Sequence, residues 1–257
     1  MRGSFRLAIQ TSKWSRFAQV DVDVLPAAND DVAVVDDSIR EDMRRAALLG
    51  GRQVLHLLPG TNQITIMRIT VSPVDTSVAD VAEATARAVW NAYGMPQHDV
   101  SLHDQWLVEH QLAELRGRTL LAVTEARHWF AGRRDDDATS LIHPWFHLEN
   151  AAPIQLHVHG EDLMLSTAEP YTPYDMDEYG QIRVGPAQPP DLLAEVVGQR
   201  LRATTPLRTQ WASEGRVGAI LMEFSSTRIL IGASGDDWVL VDNPSPDYLA
   251  SRWDRCS

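Results

Sequence analysis

The sequence predicts an α+β protein: a β-β-β-α-β-α unit over residues 1–96, then a mainly antiparallel β domain over residues 97–257 made of two internal repeats. Three observations predict it. Phe5, Leu7 and Ile9, and again Ala18, Val20, Val22 and Val24, alternate with polar neighbours, the period of strands with one wet face. Apolar residues recur at helical spacing through Ile39, Met43, Ala46, Ala47, Val54 and Leu57, and through Val78, Val81, Ala82, Thr85, Val89 and Tyr93. Finally, the chain resembles itself. Aligning Gly160-Glu161-Asp162 with Gly235-Asp236-Asp237 sets Ile154, Leu156, Val158, Leu163 and Leu165 opposite Ile229, Ile231, Ala233, Trp238 and Leu240. Upstream, Leu112-Ala-Glu-Leu-Arg-Gly-Arg-Thr-Leu120 parallels Leu193-Ala-Glu-Val-Val-Gly-Gln-Arg-Leu201, and Ala122, Thr124 and Arg127 fall on Ala203, Thr205 and Arg208. The repeat units span about residues 112–166 and 193–241, and the polar run from Arg133 to Ser140 absorbs their difference in length.

Taken in order, the first strand from Ser4 turns at Thr11 to Arg16 into the second, with Asp21 and Asp23 facing solvent, and a short third strand covers Val32 to Val35. Ser38-Ile-Arg-Glu41 has the form of a capping box, so a helix is expected from there toward Leu58. Gly50-Gly51 inside it implies close packing against the sheet or a break. Gln63 to Val71, apolar on both faces, reads as a central strand. Ser77 caps the next helix with Asp80 in its first turn, and Gly94 and Pro96 stop it.

This order, with the Gly50-Gly51 helix, the strand Ile64 to Val71, and Pro73-Val-Asp-Thr-Ser77 before an alanine-rich helix ending Ala88-Val-Trp-Asn-Ala-Tyr93, resembles the fourth domain of the translocase elongation factors. The resemblance covers residues 4–94 and implies the ribosomal protein S5 domain 2-like fold and a ribosomal contact. No GTPase domain accompanies it. That family's tip is rich in basic residues and glycine, whereas here Thr11-Ser-Lys-Trp-Ser-Arg16 offers two cations, Lys13 and Arg16, amid several carboxylates. The shape is therefore expected without the ribosomal task.

After a junction at Met95 to Asp104, a helix is expected over Trp106 to Leu115, stopped by Gly117. Strands follow at Thr119 to Thr124, near His128 to Phe130, and at Pro144 to Leu148, Ile154 to His159 and Asp162 to Ser166. A proline- and tyrosine-rich connection, Glu169 to Gly180, leads to a strand at Gln181 to Val184 and a helix at Pro190 to Val197. The second copy ends near Val241. Neither unit can bury both faces alone, so the two are expected to pack about a pseudo-twofold axis as a sandwich or open barrel.

Composition narrows the function. Hydrophobic content of 44% and charged content of 23% are those of a globular protein, and the single cysteine, Cys256, rules out an intrachain disulfide framework. Met1-Arg-Gly-Ser-Phe-Arg6 lacks the apolar run of a signal peptide, and no stretch approaches the ~18 apolar residues of a membrane span, so a cytoplasmic protein without membrane contact is expected. A net charge of −12 disfavours nucleic acid and suits a basic protein partner.

Four candidate sites stand out. His143, His147, His157 and His159 could ligate zinc, but the second copy has Gly232 and Ser234 at the places of His157 and His159; strand histidines without metal are expected. Glu161-Asp162 and Asp236-Asp237 occupy matching turns, where aspartate serves backbone geometry more simply than catalysis. The run Glu169-Pro-Tyr-Thr-Pro-Tyr-Asp-Met-Asp-Glu-Tyr-Gly180 joins aromatic anchors to negative charge and suits an arginine- or lysine-rich protein face; the alternative is an ordered loop whose tyrosines cover the sheet edge. Trp14, at the hairpin tip, is either a contact residue or folds back on its sheet. The partner-binding set is therefore Tyr171, Tyr174, Asp175, Asp177, Glu178, Tyr179 and Trp14, with no cofactor, metal or catalytic residue. A non-enzymatic acidic binding module is expected, in specific form an immunity protein masking a toxin. The alternatives are a ribosome- or RNA-associated factor and an enzyme with its site between the β repeats.

Overall fold

A computed structural model of the protein describes residues 1–96, 100–209, 211 and 215–256. The chain divides into two compact units, Met1–Val100 and Ser101–Ser257, and the architecture is mixed α+β with three sheets, antiparallel but for one pair of strands. Residues 97–99, inside the junction expected from Met95 to Asp104, lie outside the described residues.

The first unit runs β1 (Arg2–Gln10), β2 (Ser15–Pro26), β3 (Asp31–Val34), α1 (Glu41–Leu55), β4 (Asn62–Val71) and α2 (Val78–Tyr93). Its sheet has the order β1-β2-β4-β3, with β3 parallel to β4 and the other pairs antiparallel. Along β2 the residues Ala18, Val20, Val22 and Val24 are buried while their neighbours are half-exposed, as period two dictates. They share the core with Ile64 and Ile66 of β4 and with Met43, Ala46, Val54, Val81 and Val89 of the two helices.

Three expectations for this unit need correction. The capping box at Ser38 does not form: Arg40 precedes the helix without a side-chain cap, and Ser38 instead bonds Asp36 through its hydroxyl and its amide. An Asx turn satisfies those groups locally, so the helix starts later. β4 is central but not buried on both faces, since Met67 and Arg68 stay exposed beside a bulge in its pairing with β2. Arg16 is not a cation at the hairpin tip, because it occupies the inward-pointing phase of β2 and is buried. Gly50 and Gly51 pack closely: a Cβ at Gly50 would lie 2.3 Å from the Ala82 carbonyl oxygen of α2, and one at Gly51 would lie 2.8 Å from a Val32 methyl of β3. At α2 the box closes as the sequence predicts. Asp80 N–H donates to Ser77 Oγ at 3.1 Å and Ser77 N–H to Asp80 at 2.9 Å, and Gly94 ends the helix at φ 63°.

The second unit runs α3 (Gln105–Leu115), β5 (Leu120–Trp129), α4 (Asp137–Ser140), β6 (Leu141–Leu148), β7 (Ile154–His159), β8 (Asp162–Thr167), β9 (Tyr174–Asp175), β10 (Gln181–Pro186), β11 (Ala203–Arg208), β12 (Ala219–Glu223), β13 (Arg228–Ser234), β14 (Asp237–Asp242), α5 (Pro246–Arg252) and β15 (Asp254–Arg255). One sheet has the order β8-β7-β6-β5-β10-β9 and the other β14-β13-β12-β11-β15. Their inner faces share one core, in which Val123, Phe146, Leu156 and Leu165 meet Ile220, Met222, Ile229 and Ile231. Each outer face is covered separately. Trp145, Ala126 and Ile182 lie beneath Tyr171 and Met176 of the connection, whereas Leu207, Leu221 and Leu230 lie with Trp253 beside Tyr248 and Leu249.

The two sheets also meet through contacts that come in matched pairs. Gly117 N–H donates to the Leu201 carbonyl at 2.7 Å and Gly198 N–H to the Leu120 carbonyl at 2.8 Å; Leu201 N–H reaches Arg118 and Leu120 N–H reaches Gln199, both at 2.9 Å. At the hairpin tips Gly235 N–H donates to Glu161 Oε1 at 2.9 Å and Gly160 N–H to Asp236 Oδ1.

Here too the elements differ from some expectations. Thr119 to Thr124 and His128 to Phe130 are one strand, β5, because Glu125 and Arg127 are accommodated in it by a buried ion network. The segment Pro190 to Val197 forms only a 3-10 turn, Leu192–Val196. The chain beyond Val241 adds α5, capped by Ser245, and the edge strand β15.

Candidate functional site

The connection between β8 and β10 forms a strap over the first sheet. From Thr172 to Tyr179 it exposes every residue except Met176, and it carries the edge strand β9 and a 3-10 turn, Asp177–Tyr179. It is held at both ends. Near its start the Tyr171 hydroxyl lies 2.9 Å from His143 Nδ1, and its ring meets Trp145 edge-on at 5.0 Å between centroids. Near its end His128 Nε2 donates to the Tyr179 carbonyl at 2.7 Å. Gly180, at φ 97°, fits where a Cβ would lie 2.3 Å from the Trp129 carbonyl oxygen.

The expected contact residues therefore separate. Tyr171 turns toward the sheet as its cover, so it is removed from the exposed set; Trp145, on the outer face of β6, with Ala126 and Ile182 forms an apolar bed that its ring covers. Tyr174 (48% exposed) and Tyr179 (68% exposed) stand in solvent with Asp175, Asp177 and Glu178. Trp14 belongs to the first unit. It is half-buried in a turn closed by Thr11, whose amide and hydroxyl both donate to the Trp14 carbonyl at 2.9 Å.

The four histidines do not converge on one point. His143 and His157 pack edge to face with centroids 4.8 Å apart, His147 Nε2 pairs with Thr124 Oγ1 at 2.9 Å, and His159 is exposed 3.9 Å from Asp236. The turn carboxylates serve geometry: Glu161 and Asp236 accept from the opposite hairpin tip, and Asp162 pairs with Arg216 at 2.6 Å.

A further cluster escaped sequence reasoning. Glu125, Asp137 and Asp191 bring carboxylate oxygens within 4.8 Å of one another, and among the described residues they are the one group with the ligand set for a metal ion. Arg127 already supplies the cation there. Its guanidinium lies 2.8 Å from Glu125, against Asp137, and 3.8 Å from Asp191, while Arg134 holds Asp191 with both terminal nitrogens. Asp137 also caps the 3-10 turn, accepting from Leu192 N–H at 2.8 Å.

Three carboxyls against two guanidiniums leave one surplus negative charge in a buried place. Burial, with Asp191 and Asp137 opposing Arg127, pushes the Glu125 carboxyl up to about 7, while Arg134 and Arg127 hold Asp191 below the ordinary carboxylate range against its own burial. A carboxyl titrating near neutrality is suited to proton transfer; here Glu125 is 3% exposed, and the contacts of Arg127 and Asp137 tie β5 to α4 and the 3-10 turn. The signal was present in the sequence: Glu125 and Arg127 share the inward phase of Val123, and a charged pair at core positions demands partners.

In the first unit Arg16 donates to Asp80 and Glu83 of α2, both at 2.6 Å, and Arg87 pairs with Glu83 at 2.8 Å. Burial lowers the Arg16 pKa, yet the two carboxylates outweigh it and hold the guanidinium above its ordinary value.

Among the described residues no helix is long and apolar enough to cross a membrane. No protein-family model matches the chain, and no curated relative matches it. Among solved structures, a crystal structure of a Thermus thermophilus protein is similar over 76% of this chain and 29% of that one, at 14% identity and a TM-score of 0.32, a likeness too slight to carry an argument.

Proposed function

We propose that the protein is a non-enzymatic acidic binding module whose contact surface is the strap, with Tyr174 and Tyr179 as anchors and Asp175, Asp177 and Glu178 as the charges that select a basic protein. An immunity protein masking a cationic toxin in the cytoplasm is its specific form. One observation carries this reading: two large aromatic side chains stand exposed among three carboxylates on a segment fixed at both ends. Fixed anchors lose less entropy on binding than mobile ones, and tyrosine is favoured at interface hot spots. The net charge of −12 adds long-range attraction for a cationic partner.

The finer reading of the fold belongs to the same proposal. The second unit is an internal duplication, a reading supported by the matched hydrogen bonds of Gly117 and Gly198, and of Gly160 and Gly235, since isologous contact of this kind is what a twofold relation produces. The first unit has the elongation-factor-like order of elements, and Asp75 ties Pro73-Val-Asp-Thr-Ser77 to β2 by accepting from the hydroxyls of Ser15 and Ser72. With Arg16 buried, Lys13 alone remains as a cation in the tip from Thr11 to Arg16, which weighs against a ribosomal task.

The test is capture from native lysate with tagged wild type and with the Tyr174→Ala/Tyr179→Ala variant, each folded by circular dichroism. The wild type should retain a basic protein that added salt releases and that the variant loses. Equal retention by both would overturn the assignment of the surface.

A further inference from the structure

The strap rests on a histidine pair that the contact surface does not use. Trp145 pairs with Gln155 across β6 and β7, and continuing that register by two residues places His143 opposite His157 on the outer face of the sheet. Both imidazoles are half-buried, and their centroids lie 4.8 Å apart. Ser166 Oγ donates to Gln155 Oε1 at 3.3 Å, so His157 Nε2–H donates to Ser166 Oγ at 2.8 Å and Nδ1 is the nitrogen left to take a proton. The Tyr171 hydroxyl has no second acceptor among the described residues, so it donates to the lone pair of His143 Nδ1. Neutral His143 then carries its proton on Nε2, and an acquired proton must go to the nitrogen that receives Tyr171.

We propose that the strap is an acid-released cover: protonation of His143 and His157 forces the Tyr171 hydroxyl to turn from donor to acceptor, places two cations side by side beneath it, and frees the segment from Tyr171 to Gly180. The freed segment is the contact surface only if the binding reading above holds.

Among the described residues no charge nearby offsets the new cations. On β5, His128 faces the strap and donates to Tyr179, and on β6 His147 is engaged with Thr124. His159 of β7 lies beside Asp236, and Asp162 of β8 is paired with Arg216. Tyr171 and Tyr174 of the strap offer phenol groups, and its carboxylates Glu169, Asp175, Asp177 and Glu178 face solvent. The electrostatics agree. Burial lowers the pKa of His143, and burial together with the charge of His143 lowers that of His157 to about 4. A histidine so depressed stabilises the closed strap fully above its free value near 6.5, and that stability is lost as pH falls toward the folded value.

Hydrogen exchange of the full-length protein, read by mass spectrometry as protection factors at pH 7 and pH 4.5, tests the proposal. Peptides covering residues 169–180 should lose about tenfold in protection at pH 4.5, the equivalent of one histidine regaining one pH unit, while β6 and β7 keep theirs. In His143→Gln/His157→Gln the strap should stay equally protected at both values. Unchanged protection in the wild type, or the same acid loss in the variant, overturns the proposal. If the variant does not fold, the imidazole signals of the wild type decide: titration of His143 or His157 with the midpoint of strap opening supports it, and separate midpoints overturn it. Because exchange needs no partner, release of a strap that captures nothing would defeat the binding reading and leave this one standing.

Discussion

Replacing Glu125 by glutamine should flatten the pH dependence of the second unit's stability. The wild-type carboxyl titrates near 7 in the fold and near 4.5 when unfolded. Between these values the folded state holds a proton that the unfolded chain has released, so stability falls as pH rises from 4.5 to 7 and is constant above. Between pH 5 and pH 8 the wild type therefore loses about 2–3 kcal/mol that the variant keeps, at 1.36 kcal/mol per pH unit. Glu125 is 3% exposed, so solvent screening takes little from that figure. Glutamine keeps the shape of the protonated acid, and whatever it costs in attraction to Arg127 is common to both pH values. The assay is urea unfolding at pH 5 and pH 8 followed by tryptophan fluorescence, which reports mainly on the second unit because six of the eight tryptophans lie there. The histidine pair makes the opposite demand, losing stability as pH falls, but it is present in both proteins and cancels in their difference. Parallel pH profiles for wild type and variant would refute the surplus-charge account of the cluster.

Other outcomes follow from the same contacts. Arg16→Ala leaves Asp80 buried without a cation and Glu83 with Arg87 alone, and should destabilise the first unit by about 3–5 kcal/mol in urea unfolding followed by circular dichroism. Gly50→Ala improves helix propensity yet drives a methyl group into the Ala82 carbonyl, so it should cost about 1–3 kcal/mol rather than stabilise. Tyr171→Phe removes the hydroxyl while keeping the ring over Trp145; exchange from residues 169–180 at pH 7 should rise with little change in global stability.

Much of the frame was legible because it rests on local periodicity. Ala18 to Val24 announces a one-faced strand, Ser77 and Asp80 announce a cap, and the matched glycine turns announce hairpins. What failed were features decided by partners outside the pattern being read, most of them distant in sequence. Ser38 and Glu41 carry the letters of a capping box, but Asp36 lies two residues from Ser38 and takes its hydroxyl first. Arg16 looked like a tip cation because Asp80 and Glu83 are more than sixty residues away. The run Arg133 to Ser140 looked like slack in a repeat, yet it delivers Arg134 and Asp137 to Asp191. At the strap, the sequence offered two readings for one set of tyrosines, and the structure divides the set: Tyr171 covers the sheet while Tyr174 and Tyr179 face solvent.

On the duplication proposed above, that division bears on where function resides in the second unit. On the proposed alignment, His157 of β7 corresponds to Gly232 of β13. A Cβ at Gly232 would lie 2.5 Å from the Ala219 methyl and 3.0 Å from the Trp253 ring, so the second sheet's outer face is stripped to receive an indole from the chain's end. The first sheet keeps an imidazole there and is closed by a phenol that hydrogen-bonds its neighbour. One cover is held by apolar packing that pH does not touch, the other by a nitrogen that titrates. A duplication supplies two equal faces; only the face closed through a titratable contact can open without unfolding the sandwich. The exposed tyrosines and carboxylates lie on that cover, and acid should therefore act on the proposed contact surface before it acts on the core.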